Sequence, residues 1–161
     1  MATRRDGTRI YYRLASDQVG ELWAALRQVA DAHHAKLDDL ATAYLGHRDE
    51  LDQIHRDELA RRLHDGDVIV IDVRPAAEYG AGHVAGAVSI PLDRLARQLR
   101  ILPPDVDVVA DCRGPYCVFA DDAVRLLRRR GRRARRLEDG FPEWRRAGLP
   151  MATGAPGGPT A

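Results

Sequence analysis

Along the chain the spacing of apolar positions changes from strand-like to helical and back to short runs. Thr8 to Leu14 (TRIYYRL) is rich in β-formers and follows Asp6-Gly7, a turn signal, so it predicts the second strand of a hairpin whose first strand is short or missing. Ser16 or Asp17 can cap a helix running to about Leu45. In it Val19, Leu22, Trp23, Leu26, Val29, Ala30, His33, Leu37, Leu40, Ala41 and Tyr44 fall at three- and four-residue steps. A helix with one apolar face and only a short strand before it cannot bury that face on itself. The stripe is therefore expected to pack on the following domain or on a second copy of itself.

Gly46 to Gln53 (GHRDELDQ) is a polar joint, and a second domain is expected to begin there. Val68 to Asp72 (VIVID), Ala87 to Ile90 (AVSI) and Val106 to Asp111 (VDVVAD) are short apolar or β-branched runs. Between them lie helix-like stretches around Glu58–Leu63, Ala76–Gly80 and Leu92–Leu102. Buried strands alternating with helices predict an α/β fold, a mainly parallel sheet covered on both faces. The expected division is residues 1–46, an α/β domain over 47–151, and a tail over 152–161 ending GAPGGPTA, with nothing to bury and expected to be disordered.

Composition narrows the class without pointing to a partner. The 161 residues are 45% hydrophobic and 30% charged, as in a folded globular protein. No window approaches the roughly 18 consecutive apolar residues of a membrane span, and no apolar stretch follows the N-terminal charges, so a cytoplasmic protein is expected. A net charge of +1 gives no field that would recruit nucleic acid or an anionic membrane. Arg125, Arg128, Arg129, Arg130, Arg132, Arg133, Arg135 and Arg136 crowd one stretch, which reads as the solvated face of a helix in preference to a phosphate-contacting patch. Two cysteines in a chain with no export signal point to catalysis or metal binding in preference to a structural staple.

The apolar run ending at Asp111 leads directly into Cys112, then Arg113, Gly114, Pro115, Tyr116, Cys117 and Val118, with a helix expected from about Phe119 to Arg130. Strand, tight loop and helix place Cys112 at the carboxyl end of a parallel strand, where open α/β sheets bind ligands. Loop and first-turn amides and the positive helix end favour an anion, lowering a thiol pKa from about 8.5 into the range of roughly 3.5–7.5. The same donors would hold the charge of a persulfide. Two readings of Cys117 stand together. It is a resolving thiol, able to attack a Cys112 persulfide or sulfenate, or a small buried residue at the helix start; the second is preferred because free cysteine is among the most buried residue types. Arg113 can pair with an anionic donor or stand in solvent.

Three blocks then resemble the rhodanese-like (sulfurtransferase) family over roughly Leu51 to Pro150. They are Asp72 to Pro91 (DVRPAAEYGAGHVAGAVSIP), Cys112 in the position of the family's persulfide-carrying cysteine, and Gly140 to Trp144 (GFPEW). The resemblance implies the family's fold and a Cys112 nucleophile that needs no cofactor. Asp72, Arg74, Glu78 and His83 are expected to be scaffold, tying the strand end to the next helix and loop by charge-assisted bonds. Gly140, Phe141 and Trp144 are expected to form a turn and an apolar lid. The loop departs from common members of the family. Gly114 follows the cysteine by two positions where many place it by three, and Cys117 stands where Ser, Thr or Arg is usual. Val118 replaces the Arg of the related dual-specificity phosphatases, which argues against phosphate chemistry.

Asp6 to Leu45 resembles the end of an ArsR-type winged-helix repressor, the return strand of the wing and the long dimerisation helix. The upstream helices have no counterpart, so this chain alone is not expected to bind DNA, and Met1 reads as an internal or reassigned start within a longer repressor–rhodanese fusion. Asp31, His33 and His34 read as solvated helix residues in preference to metal ligands. The expected function is transfer of sulfane sulfur from thiosulfate or a persulfide donor to a thiol or cyanide acceptor through a Cys112 persulfide. The alternative is a sulfur- or redox-sensing regulatory domain of an ArsR-type regulator. A homodimer through helix 17–45 is expected in either case.

Overall fold

The computed structural model describes residues 1–33, 40, 42–44 and 51–154. The chain divides into two compact units, 1–46 and 47–161.

In the first unit β1 (Ala2–Asp6) and β2 (Arg9–Arg13) form an antiparallel hairpin, with Ala2 opposite Arg13 and Asp6 opposite Arg9. The first strand, expected to be short or missing, is as long as the second. Its sequence ATRRD carries no alternating apolar signal because nearly all of it is exposed. Helix α1 (Asp17–His33) follows, with the Ser16 carbonyl accepting from the Val19 amide at 3.2 Å. Leu22, Trp23, Leu26 and Val29 on it are exposed. Residues 40 and 42–44 are again helical, while the rest of the expected helix to Leu45, including His34, Leu37 and Ala41, lies outside the described residues, as do 46–50 of the joint.

The second unit is built on a parallel five-stranded sheet in the order β3-β8-β7-β4-β6: Gln53–Ile54, Ala134–Leu137, Asp107–Asp111, Val68–Asp72 and Val88–Ser89. One face carries Ile71, Val108, Ala110 and Cys112. It packs on Leu95 of α4 (Leu92–Gln98) and on Ala120, Ala123, Val124 and Leu127 of α5 (Val118–Arg129). The other face carries Val68, Val70 and Val109. It packs on Leu59 of α2 (Arg56–Asp65), Tyr79 of α3 (Ala76–Ala81), and Phe141 and Trp144 of α6 (Phe141–Arg146). This is the expected α/β arrangement. Period-2 alternation on strands buried from both sides makes each central residue a core residue, with each fully buried Val or Ile worth about 1.5–3 kcal/mol.

Two expectations are corrected in this unit. The tail placed at 152–161 starts later, because β5 (His83–Val84) pairs antiparallel with β9 (Met151–Ala152) and the Gly154 amide donates to the Gly80 carbonyl at 3.0 Å. Residues 155–161 lie outside the described residues. The arginine run is not one solvated helix face: α5 ends at Arg129, and Arg135 and Arg136 belong to strand β8. Arg136 is buried there at 1% exposure and pairs with buried Asp121 at 3.1 Å. A strand written ARRL has no apolar signature, so only pairing to β3 and β7 reveals it.

Candidate functional site

Strand β7 ends at Asp111, and its next residue, Cys112, has a 1% exposed side chain within the core cluster. The chain then turns through Arg113 to Tyr116 into α5, with Cys117 at the residue before the helix. Gly114 adopts φ +143°, a region open to glycine, and its carbonyl accepts from the Cys117 amide at 3.1 Å. This tight turn brings the α-carbons of Cys112 and Cys117 to 6.4 Å, and the two sulfurs are joined as a disulfide. The resolving-thiol and packing readings of Cys117 therefore share one geometry, since Cys117 is also partly buried against the same core cluster.

The wall behind the loop comes from the second signature. A Cβ on Gly140 would meet the Cys112 carbonyl oxygen and the Gly114 α-carbon at 2.7 Å, as well as the Gly114 nitrogen. Two stretches of backbone thus pass each other with room only for glycine, and the Phe141 amide locks them by donating to the Cys112 carbonyl at 3.0 Å. Trp144 is buried and donates its indole N–H to the Pro150 carbonyl at 2.8 Å, a packing role with its polar tip satisfied.

The first-signature residues divide between two tasks. Arg74 donates through Nε to Asp72 at 3.0 Å and through a terminal nitrogen to the Gly82 carbonyl at 2.7 Å, tying the end of β4 to the loop after α3. His83 Nδ1 lies 2.8 Å from the Tyr79 carbonyl, and its ring stacks on the Tyr79 ring at 3.6 Å. Glu78 departs from the expected scaffold role at the strand end. Its carboxylate accepts two bonds from Arg113, at 2.8 and 2.5 Å, and so holds the loop after Cys112 to α3. Arg113 also lies 5.0 Å from the centre of the Phe119 ring and 3.9 Å from Cys117 Sγ. Beside Phe119 opens a cleft of about 500 Å³ lined mainly by Val73, Pro75, Pro91 and Leu92. Pro115, Tyr116 and Val118 complete the loop; Tyr116 is exposed and the Pro115 carbonyl accepts from Arg136 at 3.2 Å.

Three residues of this site carry no signal in a sequence scan. Arg136 fixes the loop from below through Pro115 and Asp121. Glu143, buried on α6, would meet a Cβ on Gly114 at 3.7 Å, which puts its carboxylate against the loop. Asp111 is fully buried and sits opposite Asp72 in the β4–β7 register. Burial, and then the Asp72 charge, push the Asp111 carboxyl up to about 8, while Arg74 and the amides of Cys112 and Phe141 pull the other way. Among the described residues no His, Cys, Asp and Glu side chains gather as a metal cluster.

The family profile of the rhodanese-like domain matches residues 55–147. The chain is 51% identical over 155 residues to the HTH-type transcriptional regulator Rv0324 of Mycobacterium tuberculosis, covering 96% of this chain and 68% of that protein. It is 31% identical over 102 residues to a protein of Allochromatium vinosum named sulfurtransferase, covering 63% of this chain and 94% of that one. Among solved structures, a rhodanese-related protein from Thermoplasma volcanium superposes with a TM-score of 0.57 at 25% identity, over 63% of this chain and 97% of that one.

Proposed function

The chain belongs to the rhodanese-like domain family, and on that footing we propose that it transfers sulfane sulfur through a persulfide on Cys112. The observation that carries this reading is the position of Cys112 at the carboxyl end of β7, in a loop that turns directly into α5. There the reduced thiolate attacks the outer sulfur of thiosulfate, and sulfite leaves with the bonding pair. A low-molecular-weight persulfide would react in the same way, releasing its thiol. A thiol or cyanide acceptor then attacks the outer sulfur of the persulfide and returns Cys112 as thiolate. The cleft beside Phe119 offers room for an organic donor or acceptor. The test begins with protein reduced by a dithiol and freed of it. In Cys117→Ser, exposure to thiosulfate should add the mass of one sulfur atom to the Cys112 peptide, and cyanide should then release thiocyanate. Unchanged turnover in Cys112→Ser would sink the assignment.

A second reading is supported by the 51% identity to a protein named as a transcriptional regulator. In it the sulfur chemistry at Cys112 is a single stoichiometric signal that alters assembly through α1. Sustained thiocyanate production favours the enzyme; one modification per chain, no turnover and a changed oligomeric state favour the sensor.

A further inference from the structure

We infer that Cys117 discharges the Cys112 persulfide as hydrogen sulfide, leaving the Cys112–Cys117 disulfide, so that the domain has a sulfide-releasing activity beside sulfur transfer. The inference rests on the Cys112 persulfide proposed above and adds a second fate for it.

The geometry of the loop carries the argument. Cys117 follows Cys112 by five positions, and their α-carbons stand 6.4 Å apart, inside the span a disulfide allows. The approach is built by the loop, through the Gly114 φ of +143°, the Cys117 amide on the Gly114 carbonyl, and the Gly140 backbone packed behind. A thiol held this close acts as an intramolecular nucleophile, which competes well against dilute external acceptors. The Arg113 guanidinium, 3.9 Å from Cys117 Sγ, sets a cation beside the attacking sulfur and so favours its anionic form. Glu78 keeps that guanidinium in place with two bonds.

The step balances without an outside oxidant. The Cys117 thiolate forms a bond to Cys112 Sγ, and the bond from Sγ to the outer sulfur breaks with its electron pair going to that sulfur. The outer sulfur leaves as hydrosulfide, taking a proton. It has gained two electrons, and the two cysteine sulfurs have together lost them in forming the disulfide. A dithiol reductant restores both thiols, itself closing to a disulfide, so the cycle turns over sulfane sulfur to sulfide at the expense of dithiol.

The experiment uses the full chain, reduced, stripped of reductant and given thiosulfate. Wild type should release about one sulfide per chain and finish with a Cys112–Cys117 disulfide. Cys117→Ser and Cys117→Ala should load the same sulfur on Cys112, release no sulfide and hold the adduct at least tenfold longer. Added dithiothreitol should make sulfide release by wild type catalytic and the variants at least tenfold slower. If wild type and both variants hold the adduct equally long, the inference fails and transfer by Cys112 alone stands. If the extra sulfur appears on the Cys117 peptide, attack is on the outer sulfur and sulfide release is again excluded. If no variant loads sulfur on Cys112, the proposed persulfide fails and the discharge step with it.

Discussion

Asp72 and Asp111 lie opposite one another on adjacent parallel strands, both fully buried, with the single guanidinium of Arg74 bonded to Asp72. One cation cannot balance two buried carboxylates, so one carboxyl holds its proton. Burial and the Asp72 charge assign that proton to Asp111, whose carboxyl is pushed up to about 8.

A pH dependence of stability follows. Between the ordinary carboxyl value of about 4 and about 8, the unfolded chain has released a proton that folded Asp111 keeps, so rising pH costs stability across that window. Below it both states are protonated and the penalty vanishes. Asp111→Asn should therefore be more stable than wild type by on the order of 1–3 kcal/mol at pH 8, with the difference shrinking toward pH 4. Urea midpoints across this range check it, and a pH-independent difference would show that Asp111 is ionised throughout.

Gly140→Ala places a methyl against the Cys112 carbonyl and the backbone of Gly114. Since φ at Gly140 is −167°, the cost is steric rather than conformational. A loss of about 1–3 kcal/mol or more is expected, with slower sulfur loading of Cys112 because the loop must shift. Denaturation midpoints and loading rates measured on the same sample test both halves.

Arg136 and Asp121 form an ion pair with side chains 2% and 1% exposed. Removing either alone strands a buried charge and should cost about 3–5 kcal/mol, whereas Arg136→Met with Asp121→Leu should cost much less than the sum. A double-mutant cycle by calorimetry reads the coupling. Additive losses would mean that the two side chains act separately.

For the first unit we propose a homodimer through the exposed Leu22, Trp23, Leu26 and Val29 of α1. Light scattering should give twice the 17.9 kDa chain mass, and Leu22→Glu with Leu26→Glu should halve it. A wild-type monomer at micromolar concentration would exclude this role for the stripe.

The short continuous apolar runs of β4 and β7, the cysteine at the end of β7 and the glycine-bearing signatures were legible because each is a local pattern with a local physical cause. Strands buried on both faces must be apolar throughout, and a tight loop at a strand end must contain residues such as Gly114. The helix spacing of α1 was legible for the same reason. Arg136, Asp111 and Glu78 were not. Each owes its role to a partner distant in sequence, namely Asp121 and Pro115, Asp72, and Arg113. The sequence determined that Cys112 and Cys117 flank one short loop. Whether their sulfurs meet was decided by the fold, because Gly140, brought in from the other end of the domain, confines the backbone on which that approach depends.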